Sequence, residues 1–435
     1  MDRYFKILIW ILLIYSIIIA FFGIAFDAFN TIKYGGIDLR NRVVGARLLL
    51  DGRDPYFTKW DEETPDYFLD GRDYYDLPVS RCTVTPSLLL LHMPLAKISY
   101  KTQQYIWFAL QEILLLVSIF LLAKMAKEHY KIVLIIGFMF QFGGYFWRFH
   151  VANGQIYVLF LFLITLAYLI DGSARKNSSF WSGFVLGITA VWRPPVLIMG
   201  LPFLIFKKWK LLLGGICGIF TGFIPSVFFS GWQTWKNYFS AMRIIEKFHI
   251  GIFDVSFHIH PRANFVEGVK NSFFSADVPG LDTSVQGILY NKFNLVVNSA
   301  CLWIALILIS IILCFPLIRN RTKEISRETL FLGGSVLLFM SEFFLPGARL
   351  SYNNVLWFFP VSLLIIKVWK IEQQLQPALI FFGLAILGNY LYNLHPLSIM
   401  FADYAMLIYL IWMWFAQTDI GKGFSGLPLI ENLHD

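Results

Sequence analysis

Four groups of polar residues stand at the ends of apolar stretches in this 435-residue sequence, and their types define a possible chemistry. They are Asp38, Arg40, Asn41 and Arg42; Arg148, His150, Asn153 and Gln155; Arg193 alone; and Arg349, Ser351, Tyr352, Asn353 and Asn354. A positioned carboxylate can take the proton of a hydroxyl that is otherwise a poor nucleophile, which makes Asp38 the candidate general base. Arginine forks match the oxygens of a phosphate and stabilise charge that develops on a phosphate leaving group. Arg193 is the first candidate for that task, with Arg42 and Arg349 behind it. His150, Asn153, Gln155, Tyr352, Asn353 and Asn354 carry donors and acceptors suited to substrate hydroxyls.

Each of these residues also has a plainer role. Asp38 falls at or just before the first turn of a helix, where a carboxylate suits an N-cap and the helix dipole, and that role is compatible with catalysis. An arginine at the depth of Arg193 is costly unless it is paired or close to water or headgroups, and a side chain snorkelling to lipid phosphate meets that condition. Arg42 and Arg349, at loop edges, are open to the same reading. For His150 and Gln155 a role as polar helix caps explains the residues nearly as well. His258 and His260 lie one residue apart without further ligands nearby, so neither a metal site nor a cofactor is expected.

The elements that position these groups are membrane helices. Hydrophobic residues make up 57% of the chain and charged residues only 15%, against about 25% charged in soluble globular proteins. Mean hydropathy is +0.62. Aromatic residues reach 18%, with 44 Phe and 14 Trp, as suits a bundle with interfacial belts. Apolar stretches near the roughly 20 residues needed to cross a bilayer occur at 7–26, 103–123, 132–147, 155–170, 211–229, 293–318, 330–345, 352–366, 377–392 and 398–415. Two shorter pieces, 180–192 and 195–206, are interrupted by Arg193, Pro194 and Pro195. The total is about 12 transmembrane helices in an all-α, polytopic membrane protein. The first stretch is longer than the apolar core of a cleavable signal and lacks a small-residue cleavage site, so it reads as a retained span.

Placing the N-terminus in the cytoplasm puts fourteen Lys and Arg residues, from Lys124 to Lys370, on inside loops and leaves only Arg148, Arg193 and Arg349 on short outer turns. The net charge of +8, which in a soluble protein would suggest nucleic acid, is thereby explained by topology, and no nucleic-acid partner is expected. Both termini are then cytoplasmic and the polar groups ring one outer cavity. Two long segments, 27–102 and 230–292, lie outside. The first holds nine acidic and three basic residues between Asp51 and Asp76, an interfacial amphipathic helix after Asp38 closed by Gly52, and a short interfacial or re-entrant helix at 86–98. Four cysteines are scattered without ligand spacing, with Cys82 a candidate free thiol. No internal repeat is visible, and the chain reads as one integral membrane domain over 1–435.

The stretch GGIDLRNRVVGARLLLDGRDPY from Gly35, followed in order by TPSLLLLHMPLAKI from Thr85, NGQIYVLFLFLITLAYLI from Asn153 and GFVLGITAVWRPPVLIMGLPFLIFKKWK from Gly183, resembles glycosyltransferase family 87 (GT87), of the GT-C type. The resemblance covers most of the chain. It implies a GT-C-like bundle with a juxtamembrane helix in its first outer loop, and a mannosyltransferase-like enzyme whose donor is a polyprenyl-phosphate-linked sugar. In that family the first outer loop supplies the catalytic aspartate, which corresponds to Asp38. Relatives carry a Ser, Trp and His cluster after a proline before a late span; here the segment is LPGARLSYNNVLWFFP, with Tyr352 in the aromatic place and Asn353 or Asn354 in the histidine place. The family's lysine ahead of proline appears as Arg193.

The implied reaction moves a monosaccharide, mannose or another hexose or pentose, to a lipid-linked or glycan acceptor on the extracytoplasmic face of a bacterial inner membrane. With no second carboxylate assigned as nucleophile, a single displacement would invert the anomeric centre. A lipid-linked sugar transporter or flippase, and a polymerase or ligase of O-antigen type, are the competing expectations. The transporter reading fits less well, because simple transporters build their site from repeated halves.

Overall fold

The computed structural model describes residues 3–58, 65, 68, 82–248, 282–322, 324–368, 383–385, 387–391, 394–395 and 397–417. Among these the chain is helical, with a lone bridge between Asp282 and Leu350 as its β contact. The first helix, α1 (Arg3–Tyr34), ends at two glycines with positive φ, Gly35 and Gly36, and the chain turns directly into α2 (Ile37–Leu50). Then come α3 (Pro86–His92), α4 (Tyr100–Met125), α5 (Tyr130–Ile136) running into a π-helical turn over Gly137–Phe142, α6 (Tyr145–Ala152), α7 (Tyr157–Asp171) and α8 (Ser178–Trp192). A 3-10 segment Pro194–Met199 leads into α9 (Gly200–Ile205), followed by α10 (Trp209–Ser230) and α11 (Trp232–Phe248). After the gap come α12 (Val285–Phe293), α13 (Ser299–Arg319), α14 (Arg327–Phe344), a 3-10 segment Ser351–Trp357, α15 (Phe358–Val368) and α16 (Leu397–Gln417).

Five of these helices are long and apolar enough to cross a bilayer, namely α1, α4, α10, α13 and α16, and six if the bent pair Lys127–Phe142 and Tyr145–Ala152 counts as one span. The predicted stretches at 155–170, 180–192 and 195–206 form helices of 10–17 residues. At 1.5 Å per residue, a 15-residue helix such as α7 covers about 22 Å, less than a hydrocarbon core of about 30 Å. Polar and proline breaks cut these segments short, so the expected total of about 12 spans is not reached by helix length. Half of the stretch at 377–392 falls outside the described residues, as do His249, His258, His260 and most of the acidic segment between Asp51 and Asp76.

Two features fix the site's scaffold. Helices α8 and α10 meet along glycines one turn apart: a Cβ at Gly183 or Gly187 would collide with the carbonyls of Leu211 or Gly215, and one at Gly214 or Gly218 with those of Phe180 or Phe184. Small residues four apart let membrane helices approach backbone to backbone, where dispersion contacts replace the hydrophobic drive that lipid does not supply. That contact anchors the helix whose C-terminus carries Arg193. The second feature is the 55° bend after the π-turn; π-turns insert an extra residue and redirect the chain, and here the redirected α6 delivers His150, Asn153 and Gln155.

The helix after Asp38 forms over the expected stretch. Gly52, at φ +69, follows its last turn, with Gly52 N–H on Leu49 O and Arg53 N–H on Leu48 O. It differs from the expected amphipathic element in being covered on every face: Leu39 through Leu48 are all buried, Arg40, Asn41, Arg42 and Arg47 included. The burial of its arginines is possible because neighbours supply acceptors, such as Ala96 O at 2.9 Å and Ile98 O at 3.2 Å for Arg47. Cys82 is a free thiol packed beneath this helix, 3.1 Å from where a Cβ on Gly45 would stand.

Candidate active site

Asp38 sits in the first turn of α2 but does not cap it. Gly36 holds the N-cap position in the left-handed region, and the helix's first N–H groups are satisfied from another segment: Asp38 N and Leu39 N both donate to Asn153 O, at 2.9 and 3.3 Å. The capping role for Asp38 is therefore corrected, because a backbone carbonyl already does that work and leaves the carboxylate free. Its Oδ2 accepts from Gln155 Nε2 at 2.5 Å. Burial, opposed by Arg42, Gln155 and Arg40, pushes the Asp38 carboxyl up to about 6. It is ionised at neutral pH yet far more basic than an exposed aspartate, which is the condition a general base needs.

The chain from Asn153 to Gln155 reaches α2 because Gly154 adopts φ +64 and lies so close that a Cβ there would stand 2.7 Å from Leu39 Cβ. Gln155 is steadied through its carbonyl by Trp107 Nε1 at 3.2 Å. Asn153 spends its side-chain amide on Phe149 O at 2.8 Å, closing α6. His150 is buried, stacked on Trp147, and its Nε2 accepts from Val158 N at 3.3 Å. It thus caps α7 from outside, as the plainer reading of the sequence allowed.

Arg42 is nearly fully buried. It donates through Nε to His92 Nε2 at 3.2 Å and through Nη2 to Gly154 O, and its guanidinium lies 5.2 Å from the Trp107 ring centre. Burial, then the Arg42 charge, hold His92 well below the ordinary histidine range, so it is neutral and can accept. Arg42 therefore clamps α2 to α3 and to Gly154, and lends Asp38 a nearby positive charge.

Arg193 occupies the break between α8 and the 3-10 segment. Its N–H closes the helix on Thr189 O, its backbone is extended (φ −137°, ψ 90°), and the two prolines after it cannot continue the helical ladder. Its Nη1 donates to Tyr157 OH at 2.9 Å, its Nη2 pairs with Glu342, and its guanidinium sits 4.2 Å from the Tyr157 ring centre. Tyr157 in turn packs on Tyr352 with ring centres 5.3 Å apart, and Phe149 stacks on Tyr352 at 5.5 Å. The Asp38 charge acts on both tyrosines, and so does that of Arg193. Asp38, Tyr352, Tyr157 and Arg193 therefore form one group, base at one end and guanidinium at the other.

Arg349 stands apart from that group. It is wholly buried, donating to Thr283 Oγ1 at 2.7 Å and Asn354 Oδ1 at 2.6 Å and pairing with Asp403. Asn354 completes the ring by donating to Asp403 Oδ1 at 2.6 Å. Asn353 is buried beside it, its Oδ1 without a partner among the described residues. This network holds the segment that carries Tyr352. Sequence reasoning did not single out Glu342, Tyr157 or Asp403. For Glu342 and Asp403 a signal existed: each is the lone acid within a predicted span, and ionisable residues inside membrane segments are functional or paired. Tyr157, one aromatic residue among many, gave none.

No curated protein and no solved structure matches this chain. The profile of glycosyltransferase family 87 does match, over residues 83–341, which takes in Asn153, Gln155 and Arg193 and leaves Asp38 and Arg349 outside. With more than half of its length matched, this chain of apolar helices is a membrane protein that belongs to glycosyltransferase family 87.

Proposed function

We propose that the protein is an inverting glycosyltransferase that moves one sugar, mannose or another hexose or pentose, from a polyprenyl-phosphate donor to a lipid-linked or glycan acceptor on the extracytoplasmic side of the membrane. The observation that carries this reading is the placing of Asp38 and Arg193 about one pair of tyrosines, Tyr352 and Tyr157, whose ring centres lie 5.3 Å apart. In the reaction the acceptor oxygen forms its bond to the anomeric carbon while the bond from that carbon to phosphate oxygen breaks. Asp38 takes the acceptor proton, and the departing electron pair stays on the phosphate, whose oxygens Arg193 positions. Gln155 keeps the carboxylate aimed, and Arg42, bound within the protein, tempers its basicity. Tyr352 and Tyr157 present faces and hydroxyls to a sugar ring lying between base and phosphate. His150, Asn153, Asn353, Asn354 and Arg349 act behind this group, by holding the segments that carry it.

The test is transfer by purified protein, using radiolabelled polyprenyl-phosphate sugars and membrane-lipid acceptors. The wild type transfers label, and Arg193→Gln raises the KM for donor. Label transfer that is absent with every polyprenyl-phosphate sugar tried would remove the donor class, and an unchanged donor KM in Arg193→Gln would remove Arg193 from the phosphate.

A further inference from the structure

The partner of Arg193 has a consequence for the release of product. Glu342 lies near the end of α14, a helix buried along nearly its whole length, and its side chain is 1% exposed while that of Arg193 is 15% exposed. Arg193 is thus the more open of the two side chains, and its guanidinium is fixed on a carboxylate that is closed off from solvent. Backbone contacts keep the two in register: α14 presses against the 3-10 segment that begins after Arg193, where a Cβ on Gly334 would stand 3.1 Å from Met199 O. Glu342 is the ion partner of Arg193 among the described residues, and its second oxygen, Oε2, is buried there without a partner. A carboxylate so placed is costly to keep for structure alone, since a buried ion pair is often matched or bettered in stability by apolar side chains.

Resting on the reading that Arg193 meets the donor phosphate, we propose that Glu342 is a specificity-determining residue of that subsite, setting its preference between donor and product by charge. The donor is a phosphodiester with one negative charge. Breaking its sugar–phosphate bond leaves a polyprenyl monophosphate that carries close to two charges above its second ionisation, near pH 6. Coulomb energy is linear in ligand charge, so an uncompensated arginine would hold the monophosphate with twice the electrostatic energy of the diester and would retain its product. Glu342, fixed behind the guanidinium, offsets that pull in proportion to the same charge. The subsite is thereby left nearly indifferent to the second charge, and the monophosphate can leave.

The experiment measures equilibrium binding to the full-length detergent-purified protein at pH 8, with undecaprenyl phosphate and undecaprenyl phosphomannose as the two probes. In the wild type the two dissociation constants agree within a few-fold; a wild type that binds the monophosphate more than tenfold tighter overturns the proposal without any variant. In Glu342→Gln, which keeps the hydrogen bond to Arg193 and removes the charge, the diester tightens by about threefold and the monophosphate by about tenfold, the square of the smaller factor because the energies scale with charge. Equal tightening of both probes, or none, overturns it. Arg193→Gln separates the two levels: if it weakens both probes while Glu342→Gln gives no charge-dependent gain, only the role of Glu342 fails, whereas no effect of Arg193→Gln on either probe removes the phosphate subsite and this proposal with it.

Discussion

Replacing Asp38 with asparagine separates catalysis from stability in a way that few substitutions do. Raising a carboxyl from 3.8 to about 6 means that its ionised form is disfavoured in the folded protein by at most about 3 kcal/mol at neutral pH. Asparagine keeps an oxygen for the Gln155 amide at the same position, so the hydrogen bond survives while the desolvated charge is gone. Below about pH 4 the aspartate is protonated in both folded and unfolded chains and the two proteins differ little. Between about 4 and 6 the folded wild type still holds a proton that the unfolded chain has released. Wild-type stability therefore falls as pH rises through that window and levels above it, while the variant shows no such loss. Asp38→Asn is expected to melt higher than wild type in detergent at pH 7.5, the gap closing as the pH is lowered towards 4, while sugar transfer drops by a factor of about 10² to 10⁴, the usual contribution of a general base. Melting curves from pH 4 to 8 and a transfer assay at pH 7.5 decide it. A variant that melts lower at pH 7.5, or that transfers sugar at the wild-type rate, refutes the assignment of Asp38 as a base whose charge is disfavoured by burial.

Three other outcomes follow from the same geometry. Wild-type transfer should rise with pH through about 6 as Asp38 loses its proton, and Gln155→Leu, which removes a donor to the ionised carboxylate, should move that rise to higher pH; a pH–rate profile that stays put would mean that the 2.5 Å contact does not bear on the base. Gly154→Ala forces a Cβ into a left-handed residue, 2.7 Å from Leu39 Cβ. Strain of about 1 to 2 kcal/mol plus the displacement of α2 should lower both melting temperature and kcat, and normal activity would show that Asp38 is not positioned through this contact. Arg349→Met strands the fully buried Asp403 and should cost about 3 to 5 kcal/mol, with Asp403→Asn in the same background recovering part of it; a loss confined to donor KM, with stability intact, would instead place Arg349 at the phosphate.

What could be read from the sequence and what could not divides along the range of the interactions. Helix positions were legible because apolar runs and breakers act locally: the run at 211–229 became α10 over Trp209–Ser230, and Pro194 and Pro195 marked the break at Arg193. Span lengths were less so, since a 15-residue helix such as α7 can be held inside a bundle by neighbours rather than by lipid, and hydropathy alone does not separate the two. Asp38 was singled out from its local motif. The error about its cap arose because the acceptor that replaces it, Asn153 O, comes from a segment more than a hundred residues away. The same limit hid the arginine partners. Arg42, Arg193 and Arg349 look alike in sequence, each a cation at the edge of an apolar run; the fold gives the first to His92 and a carbonyl, the last to Asp403 deep in the core, and leaves only Arg193 partly open on a tyrosine that the Asp38 charge reaches. A cation's task here is decided by which of its faces the bundle leaves uncovered, and that is a property of packing between distant helices, to which no local pattern in the chain is sensitive.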